Sequence, residues 1–583
     1  MANTSELLDV IVVGSGPVGL FMAIELTRYG IPFRIFDKLE APAEHSRAFG
    51  ILPRCLEAFD HSDIVEPFLK HGHFLEHLRF RSNNRVVLNL NIFGGEPRST
   101  FSSMLILNQT ITEKILNEEL KKLGKEVERG MELVGYEQNE GTVTATFKGK
   151  QGEEVVNARY LVGCDGAHSA VRKLGKDWKY PGVALSGEFF LADITLGENR
   201  HIDEDEVAAF LGKRGVTGFF PLRDGPRRFR IISTMGQRAE AYNSNEITHG
   251  LQEDRGKKST VYTVQDAQEY LDKSLPDLKL KIEDATWVST FRVNERKAEE
   301  YRRGHAAHCH SPVGGQGLNI GIQDAQNLAL KLFLVLSNQT SDTDRVLNSY
   351  QAERGPIADN IIAFTGFATR LLLGAAFNIP FLMSFVFPRA MRVARPLWRR
   401  TILQLNHHYC DSFLVQKRKA GWVSWLSGLT GLIAPGKHIP DGFLKEPIPS
   451  PGQDTCTLYD VLRGSTRHTV ILFSSSCGIT PAKNPKGVQA LRAITEIFGL
   501  DVVQPMIVAF SSFVHYTRLE NPSLKNVRVL MEISEQLHKD FGVADGQQAL
   551  VVVRPDLYVA SAGYVPMEVD DVIAHMGTYL KSN

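Results

Sequence analysis

The spacing of apolar and polar positions changes period several times along the chain. Residues 9–13 form a short β-branched apolar run that ends at Gly14, and across 20–26 the apolar residues recur at helical spacing. Gly30 follows where a helix C-terminal glycine is favoured, and a second apolar run over 32–36 delivers Asp37. This is the pattern of an opening βαβ unit. Helical periodicity returns over 105–123, strands are predicted at 142–147 and 155–162, and 186–235 is mostly strand-like, with the turn-forming RDGPRR at 223–228. A sheet inserted between two parts of one α/β domain is the simplest arrangement.

From 320 to 336 the period is helical again, and a mainly helical apolar region runs to about residue 425. The Pro- and Gly-rich segment 435–452 predicts a linker. Beyond it, strand runs at 469–473, 506–510 and 549–553 mix with helical patterns at 488–497 and 569–580, which predicts a small separate α/β unit of thioredoxin-like kind.

With 583 residues the chain exceeds one ordinary core, so two to four units are expected. Basic and acidic residues balance at 66 each, so no overall field favours nucleic acid or an acidic surface. A small neutral or weakly charged partner fits better. Six scattered cysteines (Cys55, Cys164, Cys309, Cys410, Cys456 and Cys477) form no CxxC, which argues against a disulfide framework or a zinc site and for a reducing compartment. The N-terminal MANTSELLDVIVVG lacks a basic leader and enters a strand directly, so the expected location is cytoplasmic. The apolar stretch 371–387 falls short of a spanning helix and carries Asn378 and Pro380, so a buried or subunit-contact role is expected ahead of membrane contact. Arg389, Arg392 and Arg395, which follow it, are what an interfacial reading would use.

GSGPVG at 14–19 has GxGxxG spacing between a predicted strand and helix. Gly14 permits the tight turn, Gly16 lets the backbone approach a pyrophosphate, and Gly19 allows close helix packing; with Pro17 they are the candidate cofactor-binding residues of this turn. Asp37, at the end of the next strand, stands where a carboxylate can hold adenosine ribose hydroxyls. Alone the glycine pattern is weak; in this context it predicts dinucleotide binding.

Four further motifs follow in order: SRAFG at 46–50, LNQTITEKIL at 107–116, VGCDGAHSAVR at 162–172 and HSPVGGQGLNIGIQDAQNLALKL at 310–332. Together they resemble the single-component FAD-dependent aromatic hydroxylases, and the C-terminal unit resembles that of the phenol hydroxylase branch. The resemblance implies an α/β fold: a Rossmann-like FAD-binding domain with an inserted substrate-domain sheet, a helical region, and a C-terminal thioredoxin-like domain. Expected boundaries are 1–75, 106–180 and 296–430 for the FAD-binding parts, 76–105 and 181–295 for the substrate domain, 431–452 for the linker, and 453–583 for the last unit. It also implies FAD and NAD(P)H as cofactors, O2 and a small aromatic substrate as reaction partners, chemistry through a flavin hydroperoxide, no metal, and dimer contacts through the last unit.

Residue by residue, the resemblance makes Asp37 the ribose ligand and Arg47 and Gln109 contacts to the FAD phosphate and ribityl region. It makes Asp165 a residue that helps hold FAD while shaping the nicotinamide approach. Pro312, Gly314, Gly315, Gly317, Leu318 and Asn319 would line the isoalloxazine ring through backbone groups, where a helix N-terminus favours the charge of a reduced flavin. The phenol hydroxylase pattern has an Asp after SRA; here Phe49 stands there, so no general base carries over. Phe189, Phe190, Phe219, Phe220 and Pro221 are candidates for an apolar pocket wall or for plain core, and His73 and His77 read as surface or helix-packing residues. His168 replaces the Arg more usual in its motif, which removes a permanent charge from the NADPH side.

The pattern breaks at EEYRRGHAAH, 299–308, where the family has an apolar strand and GDAAH. As a substitution, His305 replaces the Asp; as a deletion, about six residues including Gly-Asp are missing before AH, and the family-like flanks favour this. Either way the buried strand would be shortened or rebuilt from Glu299, Glu300, Arg302 and Arg303, which do not belong in a dry sheet. Losing the Asp contact removes about 1.5–3 kcal/mol, or ten- to a hundredfold in FAD affinity. A cofactor-deficient scaffold protein is therefore the alternative expectation.

Overall fold

The apolar run ending at Gly14 is a strand buried from both sides: β1 (Leu8–Val13) has Val10, Ile11 and Val12 fully covered, Val10 and Val12 in a core with the helical residues Leu20 and Ile24, and Ile11 in one with Val143 and Phe147 of a neighbouring strand. In this computed structural model the described residues are 7–42, 48–82, 85–90, 99–166, 168–175, 178, 181–212, 215–237, 263–298, 300–303, 306–308, 317–373, 389, 400–401, 403–417, 432–446, 455–474, 485–510 and 526–582. Helix α1 (Pro17–Arg28) starts with proline at its first turn, where no N–H partner is lost, and leads to β2 (Phe33–Asp37), parallel to β1. Helix α2 (Gln109–Lys122) is shorter than the periodicity predicts, because Leu105–Ile106 is a strand. The long strand β3 (Gly152–Gly163) joins β1 in parallel on the other side.

The inserted sheet is present. Among its seven strands are β4 (Gly182–Leu196), β5 (Gly215–Pro221) and β6 (Arg228–Gln237); helix α3 (Val264–Ser274) covers one face, and β7 (Ile282–Arg296) pairs with β4. Phe190, Phe219, Phe229 and Ile231 pack against Tyr270 and Leu271 of α3, so alternate residues on the same strands face the opposite way.

The chain then returns to the first sheet through β8 (Ala306–His308), which pairs in parallel with β3. The sequence predicts a strand either shortened or rebuilt from charged residues; it is shortened, to three residues, and the charged residues do not supply it. Ala306, Ala307 and His308, which follow the Asp in the family pattern, are themselves the strand. Arg302–Arg303 form an antiparallel edge pair outside it, and the Arg302 guanidinium reaches Asp344 at 2.7 Å and Asn348 at 2.6 Å. An edge position leaves an arginine access to solvent and acids, which a central strand would not.

Helices α4 (Gly317–Leu336) and α5 (Thr343–Leu373) follow. Of the apolar stretch 371–387 only its first three residues, the end of α5, are described, and no described helix is long and apolar enough to cross a membrane. In the C-terminal unit β9 (His468–Ser474) is parallel to β10 (Val503–Phe510) and antiparallel to β11 (Gln548–Val553), which pairs with β12 (Val559–Tyr564) before helix α6 (Val569–Tyr579). The segment expected as a linker is not a passive one. Leu432, Ile433, Ile439 and Leu444 are buried in the core of this unit, and Phe443–Lys445 joins its sheet. The unit also shares one apolar core with the first domain: Leu472, Leu491 and Met576 belong to the same cluster as Phe21, Leu332 and Tyr350.

Candidate active site

Strand register brings the predicted residues to one edge. Val13 lies opposite both Phe36 and Gly163, and Gly163 lies opposite His308, so the chain leaves four adjacent parallel strands at the same end. That end carries Gly14, Asp37 and Asp165, the position at which open α/β sheets bind ligands.

The three glycines have separate steric reasons. Gly14 has φ +98°, and a Cβ there would lie 2.7 Å from the Asp165 Cα. At Gly19 a Cβ would come within 1.9 Å of the Gly14 carbonyl oxygen, so helix and turn touch backbone to backbone. Gly16, the N-cap of α1, has nothing within 4 Å of the Cβ position. Its Cβ position therefore faces open space, which leaves the backbone there accessible to a ligand. Asp37 Oδ2 accepts from the Ser15 N–H at 2.7 Å and the Ser15 hydroxyl at 2.8 Å, which joins the end of β2 to the glycine turn.

Asp165 Oδ2 accepts from the Ala170 and Val171 N–H groups at 2.5 and 3.1 Å. Its Oδ1 is buried and has no hydrogen-bond partner among the described residues. Burial raises this carboxyl, and hydrogen bonds from Ser169 and the Val171 N–H oppose the rise in part. An orphaned buried oxygen beside the glycine turn is the kind of acceptor that a cofactor hydroxyl would satisfy.

Gln109 opens α2. It accepts from the Ala48 N–H at 3.1 Å and donates to Glu113 at 2.8 Å, so its amide holds the segment that follows Arg47. Gly317, Leu318 and Asn319 form the first turn of α4. The Asn319 side chain has a role that the sequence did not indicate: Oδ1 accepts from the Leu52 N–H at 2.8 Å, and Nδ2 donates to the Gly50 carbonyl at 2.9 Å. Arg47, Pro312, Gly314 and Gly315 lie outside the described residues.

On the inserted sheet, the face away from α3 carries a row that sequence reading did not identify. Trp287, Asp193, Arg230 and Phe220 occupy paired positions on β7, β4, β6 and β5. Arg230 is fully buried and binds Asp193 through two contacts of 2.6 and 2.7 Å. Its guanidinium lies 5.4 Å from the ring centres of both Phe49 and Trp287, and Phe49 is 4.9 Å from Phe220. Of the five candidate wall residues, Phe220 faces Phe49, whereas Phe190 and Phe219 belong to the α3 core. Alternation of type along β6, Phe229–Arg230–Ile231, is the signal that could have located the arginine. His73 is on neither a helix nor an open surface; it forms a short strand with Phe74, and burial, with Arg223 nearby, lowers it to about 4. Among the described residues no group of His, Cys, Asp and Glu could hold a metal ion.

A family model described as "FAD binding domain" matches residues 7–365. The chain belongs to that FAD-binding family. Rifampicin monooxygenase of Streptomyces venezuelae is 33% identical over 374 residues, covering 61% of this chain and 70% of the relative. The 6-methylpretetramide 4-monooxygenase of Streptomyces rimosus is 32% identical over 432 residues, covering 69% and 70%. Among solved structures, the flavin-dependent monooxygenase PieE in complex with FAD and substrate superposes with a TM-score of 0.75 at 19% identity, over 98% of both chains. The family member is thus an FAD-dependent monooxygenase of the aromatic-hydroxylase type, with NAD(P)H the reductant typical of its class. The scaffold alternative is not favoured, since the FAD-binding family model and the monooxygenase relatives span the cofactor region and Ala306–His308 supplies the strand beside β3.

Proposed function

We propose that this monooxygenase uses NAD(P)H and O2 to hydroxylate a phenolic or related aromatic small molecule. The observation that supports the substrate class best is the aromatic group Phe49, Phe220 and Trp287, set over a buried Arg230–Asp193 pair on the sheet face opposite α3. A flat ring can stack there, and the aromatic walls exclude water.

Gly14, Gly16, Pro17 and Gly19 would shape the pyrophosphate cradle, with Asp37 at the ribose. Arg47, Gln109 and Asp165 would hold the middle of FAD, and Pro312, Gly314, Gly315, Gly317, Leu318 and Asn319 its ring. Bound FAD supplies the hydride acceptance and the activation of O2. This chain's residues bind, orient and shield. Phe49 cannot take a proton, so a substrate hydroxyl would be activated by hydrogen bonding and not by a carboxylate at that position. Arg230 lies 5.4 Å from the Phe49 ring centre and is held there by Asp193, so its charge would be fixed beside a ring stacked on Phe49.

The strand order β10-β9-β11-β12, with one parallel and two antiparallel pairings, supports a thioredoxin-like reading of the last unit. A homodimer and a cytoplasmic location complete the proposal. The test is NAD(P)H oxidation by the FAD-loaded protein over a panel of phenols. Stimulation with a matching hydroxylated product is expected; no stimulation by any phenol would count against the substrate class.

A further inference from the structure

A buried ionic cluster lies between the C-terminal unit and the helix that begins at the cofactor edge. It consists of Asp324 and Lys331 on α4, Glu353 and Arg354 on α5, and Arg554 and Asp556 just after β11, all with side chains at most 2% exposed. Glu353 is the hub. It accepts from Lys331 Nζ at 2.6 Å, Asn327 Nδ2 at 2.6 Å and the Ser412 hydroxyl at 2.5 Å, and from two nitrogens of Arg554 at 2.6 and 3.1 Å. Arg554 also grips Asp556 and lies 5.2 Å from the ring centre of Tyr409, which stacks on Tyr558 at 4.2 Å. Burial raises the Glu353 carboxyl, but the Arg554 and Lys331 charges outweigh it and hold the group below the usual range.

Six charges removed from water are expensive, and apolar packing would join two domains at lower cost. What such a cluster gives is geometry. Ile320, Asp324, Asn327 and Lys331 are spaced at helical repeats along one face of α4. Arg354 binds Asp324 at 2.5 Å and reaches the Ile320 carbonyl at 3.5 Å. One residue earlier, Asn319 holds Gly50 and Leu52, in and just after the short strand Gly50–Ile51 that follows Phe49. A helix of this length moves as a rod, with about 18 Å separating Asn319 from Lys331. On the other side of the cofactor edge, β8 has only three ladder pairs.

We infer that Arg554 and Glu353 are positioning residues of the flavin site, through which the C-terminal unit fixes the register of α4 and hence its first turn. The inference rests on the proposed placement of FAD at that turn. The C-terminal unit is then part of the cofactor site although none of its residues need touch the flavin.

The test compares Arg554→Met, Glu353→Gln and the conservative Arg554→Lys in the full chain, with Glu532→Gln as control. Glu532 forms a buried pair with His538 at 2.5 Å and accepts from the Leu537 and His538 N–H groups, partners that all lie inside the C-terminal unit. Readouts are the FAD dissociation constant from flavin fluorescence and the midpoint potential of the bound flavin, at a temperature where circular dichroism shows every variant folded. Arg554→Met and Glu353→Gln should weaken FAD at least tenfold and shift the potential, with partial rescue in Arg554→Lys. Glu532→Gln should stay within twofold of wild type. Should Arg554→Met fail to fold, Lys331→Met at the same hub carries the comparison. Unchanged affinity and potential in the hub variants, or equal loss in the control, would overturn the inference. A wild-type chain that binds no FAD would instead refute the flavin placement itself.

Discussion

Substituting alanine at Gly16 should separate ligand binding from folding. The residue has φ −66° and ψ 180°, an extended conformation open to any L-residue, and its Cβ position has no neighbour within 4 Å. Alanine is a poorer N-cap than glycine by up to about 1 kcal/mol, while the lost chain entropy of glycine returns about 0.4–1 kcal/mol. The two nearly cancel, so the melting temperature of the FAD-free protein should move by less than about 2–4 °C. A methyl at the same place would keep a pyrophosphate away from the N–H groups of the first turn. One charge-assisted hydrogen bond lost is about 1.5–3 kcal/mol, or ten- to a hundredfold in affinity. Gly19→Ala provides the contrast, since its Cβ would lie 1.9 Å from a backbone oxygen and must disturb folding as well. Flavin-fluorescence titration and thermal melts on both variants suffice. A Gly16→Ala protein that binds FAD as tightly as wild type, or that unfolds, would refute the cradle reasoning.

Arg230→Met should destabilise by about 3–5 kcal/mol by leaving Asp193 buried and unpaired, whereas the double variant Asp193→Leu/Arg230→Met should recover most of the melting temperature without regaining substrate stimulation; equal melting of single and double variants would contradict this. Asn319→Ala strips partners from one buried and one half-buried backbone group, the buried one at about 1–3 kcal/mol, so both the denaturant midpoint and FAD affinity should fall together. Acid should loosen the C-terminal unit: burial lowers His468 to about 3 and His575 to about 4, and both rings pack on Tyr579. An unfolded histidine takes its proton near 6.5 while these do not, so their stabilisation is whole above that pH and is lost as pH falls toward 4 and 3. His468 alone accounts for about 2 kcal/mol between pH 7 and 5, and a melting temperature unchanged over that interval would contradict the sign.

The opening unit was legible because a glycine turn between a strand and a helix leaves local marks, from Gly14 to Asp37. Strands 469–473, 506–510 and 549–553 were visible for a similar reason: buried central strands are continuous apolar runs. The Arg230–Asp193 pair was not legible, because partners 37 residues apart meet only through sheet register. Nor was the Glu353 hub, whose Arg554 lies 201 residues away. The segment 299–308 misled in another way. Its charges argued against a strand, yet the strand formed from the two alanines and the histidine that follow, and the arginines took the edge. Phe190 and Phe219 show the limit for pockets: period-two patterning places residues on faces but does not say which face meets the substrate.

The most direct test of the account is an FAD titration of the purified chain, followed by its visible spectrum. The account predicts a flavin band at near-stoichiometric occupancy, because the Gly14–Gly19 turn, Asp37 and Asp165 stand at one sheet edge despite the three-residue β8. Absence of bound flavin even in excess would contradict it, and would mean that the shortened strand has disabled the cofactor site.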